Sequence, residues 1–211
     1  MKDFWISVAI AVGATALSYV VGFQMGWVTE LNWLEVFAVA TSYSTTYLCV
    51  VQRRLNYPIG VVTTAAYTYL FYLGGLYASA ALNAYLVPTL IWGWFRWGKD
   101  ENTRPVTLVS WKWWPVYLIL TGATWYGLVM LSTYLGATLP MADSAILALS
   151  ILAQFLLDQK KLETWGFWAI VNVLAIPTYF YAGLPLVAFQ YVLFLLNTVY
   201  GFVMWWKTYK V

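Results

Sequence analysis

The chain has 211 residues, 63% of them hydrophobic and only 9% charged, with a mean hydropathy of +0.71. A soluble domain carries about 25% charge, so this composition excludes a soluble globular protein and marks a membrane protein. There is no histidine and one cysteine, Cys49. That removes the commonest general base and proton relay, and it leaves no disulfide framework or thiolate metal site; no cofactor is expected.

Eight apolar spans follow one another, at 4–29, 32–51, 57–73, 76–97, 113–135, 142–157, 164–181 and 184–206. The first follows Lys2 with no small-residue cleavage site behind it, and reads as a retained helix rather than a signal peptide. Gly74-Gly75 and Gly183-Leu184-Pro185 mark tight joins, because Gly and Pro break helices there. With eight spans and a cytoplasmic N-terminus, all eleven Lys and Arg residues fall in cytoplasmic tails or loops. The external loops near 24–31, 74–75, 136–141 and 182–183 hold none. Short-loop Lys/Arg bias sets orientation, so the fold class is an all-α polytopic membrane protein with both termini cytoplasmic.

The sequence repeats itself. Residues 74–97 align without gaps with 182–205, with Gly75/Gly183, Ala80/Ala188, Gly93/Gly201 and Trp97/Trp205 identical. Upstream, the run Gln52-Arg-Arg-Leu matches Gln159-Lys-Lys-Leu with the spacing shorter by one residue. The expected organisation is an N-terminal transmembrane helix (1–31), a first three-helix bundle (32–97), a cytoplasmic loop and connecting helix (98–141), a second three-helix bundle (142–206) and a short cytoplasmic tail (207–211). An odd number of connecting spans leaves the two triplets parallel, an arrangement transporters use. The polar stretch 98–112 carries both charge signs and reads as a solvated linker.

Deep polar groups are the informative signal in lipid, where an amide must find a partner. Asn83, Gln154, Asn172, Gln190 and Asn197 lie inside spans. Trp165, Trp168 and Asn172 stand at i, i+3 and i+7, within about 60° of one another on a helix. Gln190 and Asn197 share a face of the next span. These amides either bond neighbouring helices or hold a ligand; the stripe of two indoles and an amide favours the ligand. One repeat earlier, Trp165, Trp168 and Asn172 correspond to Tyr57, Gly60 and Thr64, with Tyr67 following on the same stripe. Gly60 opposite an indole leaves room for a ligand or permits close packing. The hydroxyl-rich run from Ala40 to Tyr47 reads first as helix packing, since such hydroxyls bond their own backbone.

No carboxylate sits mid-span: Asp158 and Glu163 lie at the cytoplasmic end, Glu30, Glu35 and Asp143 near the external face. Ion-coupled carriers hold an ionisable group at depth, so its lack argues for uncoupled, facilitated movement and against an intramembrane enzyme. Indole and phenol faces attract delocalised cations, by about 0.5–2 kcal/mol per ring. A flat heteroaromatic cation bearing hydroxyls suits that chemistry.

At these residues the chain resembles the Pnu family of vitamin transporters over about 32–206. The resemblance rests on Tyr57-Pro-Ile-Gly60, Gly75-Leu-Tyr-Ala78, Gly93-Trp-Phe-Arg-Trp97, Gly201 to Trp205 and, above all, Trp165-x-x-Trp168-x-x-x-Asn172. It implies a fold similar to the SWEET sugar transporters, and a homotrimer in a bacterial cell membrane. It implies nicotinamide riboside moved down its gradient and trapped by intracellular phosphorylation. Trp165, Trp168 and Asn172 are then substrate contacts, with Gln190, Asn197, Asn83, Thr64 and Tyr67 as further candidates for ribose hydroxyls. Asn83 stands where the resemblance leads to a glutamine. Relatives carry thiamine, riboflavin or deoxynucleosides, so a sibling carrier is the rival reading; a non-transporting sensor or scaffold is another.

Overall fold

A computed structural model describes residues 2–73, 77–98, 104–137 and 139–210. The Gly74-Gly75 join and the start of the Gly75-Leu-Tyr-Ala78 motif lie outside the described residues. Among the described residues, eight α-helices of 18 to 25 residues follow the expected spans: α1 (Lys2–Gln24), α2 (Trp33–Val50), α3 (Asn56–Leu73), α4 (Tyr77–Arg96), α5 (Trp114–Tyr134), α6 (Pro140–Asp158), α7 (Thr164–Tyr181) and α8 (Pro185–Tyr209). A 3-10 turn, Trp111–Trp113, leads into α5. By length and composition, α1, α5 with its leading turn, α6 and α8 are long and apolar enough to cross a membrane.

Local signals set the helix ends. The Asn32 side chain caps α2 by accepting from the backbone N–H groups of Leu34 and Glu35. Pro115, Pro140 and Pro185 sit in first turns, where their missing N–H costs nothing. α5 contains no buried residue, as befits an all-round apolar helix in contact with lipid or a partner.

The chain divides into two compact units, Met1–Arg104 and Pro105–Val211. Within each, close backbone packing runs between chain neighbours: α1 on α2, α2 on α3 and α3 on α4 in the first, and α5 on α6, α6 on α7 and α7 on α8 in the second. The helix expected to connect two triplets, α5, therefore packs as the leading helix of the second unit. Its counterpart is α1, which lies outside the sequence repeat. Both end in the same hydrogen-bonded cap around a left-handed glycine. Gly26 (φ 70°) is flanked by Met25 N–H to Val21 O and Trp27 N–H to Gly22 O. Gly136 (φ 77°) is flanked by Leu135 N–H to Leu131 O and Ala137 N–H to Ser132 O.

The internal repeat is visible bond by bond, and in a slightly different register from the sequence match. Gln52 N–H donates to Cys49 O (3.1 Å) and Arg53 N–H to Leu48 O (2.8 Å); Lys160 N–H donates to Leu157 O (2.9 Å) and Lys161 N–H to Leu156 O (2.9 Å). Gln52 and Lys160 both take positive φ, 57° and 51°. Gln52 thus corresponds to Lys160, not to Gln159. The Gln-Arg-Arg-Leu likeness is one residue out of step with the backbone, because left-handed turn geometry, not side-chain chemistry, fixes the alignment there.

The stretch expected to be a solvated linker is docked over its second part. Thr107 forms an isolated parallel bridge with Lys161, with Thr107 N–H to Lys160 O (3.1 Å) and Leu162 N–H to Thr107 O (3.0 Å). Val106 and Val109 are buried, and Val109 joins Leu152 and Leu156 in a core with Trp114, Tyr117 and Phe167 around it. The cause is the apolar run Val106-Thr-Leu-Val109, which the flanking charges obscure in the sequence.

Candidate functional site

α7 carries the indole–amide stripe, and packing divides its three members. Trp165 is 4% exposed. Its six-membered ring lies over Gly201 so closely that a Cβ there would collide with it. It also meets Trp205 edge-on, with centroids 5.3 Å apart and planes at 89°. The first unit repeats this pair as Tyr57 and Trp97, at 5.2 Å and 89°. The ring of Trp165 is therefore a packing element common to both units. Its Nε1–H is buried without a partner among the described residues.

Trp168 is half-buried and packs on the core of Ile146, Val171 and Ala175, together with Leu149, Leu174, Tyr179 and Tyr191. Asn172 is 2% exposed, and its Nδ2–H donates to Thr198 Oγ1 on α8 at 2.9 Å. The Thr198 hydroxyl in turn donates to Phe194 O at 2.9 Å. That chain fixes the amide orientation: nitrogen toward α8, leaving Oδ1 to accept from another group. Thr198 is the residue sequence reasoning missed. The signal was present, a hydroxyl on α8 next to Asn197, but only packing decides which of two adjacent residues turns toward α7.

Gln190 is buried and Asn197 half-buried on the same helix. Gln154 bonds its own helix instead, Nε2–H to Asp158 Oδ1 at 2.9 Å. Thr64, Tyr67 and Asn83 belong to the first unit and are each half-buried. The Thr64 hydroxyl donates back to Gly60 O (2.9 Å) and Val61 O (3.1 Å), so it can offer a ligand only its lone pairs. Gly60 serves close packing: a Cβ there would stand 3.4 Å from both Leu90 and Thr45 side chains. The hydroxyl run on α2 is packing too. Thr41, Ser42 and Thr46 bond backbone carbonyls, while Tyr43 and Ser44 reach Ser18 (2.8 Å) and Ser7 (3.1 Å) on α1. Among the described residues no group of His, Cys, Asp or Glu could hold a metal ion.

A sequence model described as "Nicotinamide mononucleotide transporter" matches residues 32–207. The chain belongs to the nicotinamide mononucleotide transporter family. It is a membrane transporter and not an enzyme. It is 30% identical over 203 residues to the nicotinamide riboside transporter PnuC of Neisseria mucosa, with 85% of this chain and 74% of that one covered. It is 24% identical over 142 residues to the riboflavin/roseoflavin transporter RibM of Streptomyces davaonensis, covering 64% and 67%. A crystal structure of the vitamin B3 transporter PnuC superimposes with a TM-score of 0.76 at 25% identity, over 97% of this chain and 92% of that one. The family match begins at the head of α2, so α1 lies outside it.

Proposed function

We propose that the chain carries nicotinamide riboside across a bacterial inner membrane by facilitated diffusion. The observation that carries this reading is the likeness to PnuC along nearly the whole chain, joined to the Trp168–Asn172 face with its amide oxygen unclaimed. Trp168 would stack on the pyridinium ring, and Asn172 Oδ1 would accept from the carboxamide or a ribose hydroxyl. Trp165 would contribute its free indole N–H and not its ring. Gln190, Asn197, Asn83, Thr64 and Tyr67 remain candidates for ribose contacts. All eight helices would span the bilayer, with both termini cytoplasmic, since every Lys and Arg then falls on one side. The triplets 32–97 and 142–206 would form SWEET-like parallel bundles whose alternating access exposes the site to each side in turn. The chain would work as a homotrimer, and phosphorylation inside the cell would trap the product.

Competition among nicotinamide riboside, thiamine, riboflavin and deoxynucleosides in proteoliposome uptake tests the substrate. Preference for nicotinamide riboside, lost in Trp168→Ala and Asn172→Ala, is expected. Unchanged affinity in both variants would sink the site assignment, and preference for riboflavin would place the chain beside RibM.

A further inference from the structure

We propose that Asp143, Tyr179 and Tyr191 form a binding station for an organic cation at the end of the second unit remote from the Lys160–Lys161 turn. The inference deepens the carrier reading above and rests on it only for the identity of the arriving cation. The three side chains come from three helices: Asp143 from the first turn of α6, Tyr179 from near the end of α7, Tyr191 from near the start of α8. The two phenol rings stack with centroids 5.2 Å apart and planes at 27°. Phe194 adds an edge to Tyr191 at 5.7 Å. Asp143 is half-buried and stands one helical turn before Ile146, on whose cluster both phenols pack.

Asp143 makes no ion pair among the described residues. Every cation of this unit, Lys112, Lys160, Lys161, Lys207 and Lys210, sits at the opposite ends of the helices. The carboxylate is therefore the sole charge of the second unit at this end. The positive end of α6 stabilises it there, which explains why an acid is tolerated but not why two stacked phenols stand beside it. A carboxylate beside electron-rich ring faces is the combination that holds a delocalised cation. Tyr179 lies eleven residues beyond Trp168, about three turns along the same face of α7. Both pack on the one core that also holds Ile146 and Ala175. A cation held beside Tyr179 thus sits in line with the Trp168–Asn172 face, about 10 Å before Asn172 and about 16 Å before Trp168 by helix rise.

The test compares 1-methylnicotinamide with nicotinamide, probes that share a carboxamide ring and differ by one charge. Binding to the purified full-length protein is measured for wild type, Asp143→Asn and Asp143→Glu. Wild type should prefer the cation by about tenfold, a ratio that corresponds to about 1.4 kcal/mol, and the preference should shrink as salt rises. Asp143→Asn should abolish it and Asp143→Glu should keep it. A cation preference that survives in Asp143→Asn, or is missing from wild type, overturns the proposal. Failure of the carrier reading would appear separately, as a wild-type protein that binds 1-methylnicotinamide yet takes up no nicotinamide riboside.

Discussion

Replacing Gly201 by alanine adds one methyl group at the α7–α8 crossing, and the structure fixes its cost. The added Cβ would lie 2.6 Å from Trp165 Cζ2, nearer still to its neighbours, where carbon atoms settle at about 3.5–4.0 Å. The obstacle is a rigid ring, itself held edge-on by Trp205. Relief needs about 1 Å of helix displacement, and overpacking of this kind costs about 1–3 kcal/mol. For a chain of this size each kcal/mol is worth about 2–4 °C, so Gly201→Ala should lower the melting temperature in detergent by several degrees. Gly166→Ala is the control: nothing lies within 4 Å of its Cβ position, and helix propensity makes that change neutral or stabilising by up to about 1 kcal/mol. Trp165→Leu in the Gly201→Ala background should recover part of the loss. Equal melting temperatures for the two alanine variants would refute the packing role assigned to Trp165.

Thr198→Val should cost about 1–3 kcal/mol by leaving Asn172 Nδ2 buried without its acceptor, and Thr198→Ser should not; thermal melting separates them. Glu163→Leu should loosen the docked segment, because it removes Oε1, the acceptor for Val109 N–H at 2.8 Å. Faster hydrogen exchange over 106–110 is the expected readout, and an unchanged rate would mean that the bridge at Thr107 suffices alone. Asp3→Asn removes the carboxylate that pairs with Arg53, yet both side chains are partly exposed, so the loss should stay below about 1 kcal/mol.

The number of helices, and their ends to within a few residues, follow from the sequence itself. Runs of apolar residues, glycine and proline breaks and one-sided cations are local or additive properties, readable without knowing which helix meets which. The same holds for the duplication in α4 and α8, and for the choice of Trp168 and Asn172 as neighbours on one face. What each side chain touches was decided by tertiary packing. Trp165, Trp168 and Asn172 look equivalent on a helical projection, but Gly201 makes room for one indole only, so Trp165 sinks into the α7–α8 contact while Trp168 packs, half-buried, on the core of Ile146, Val171 and Ala175. The grouping of α5 with α6–α8, the docking of Val106 and Val109, and the meeting of Asp143 with Tyr179 and Tyr191 all join residues far apart in the chain. Such contacts depend on how whole helix surfaces fit, and periodicity along one segment carries no information about the surface it will face.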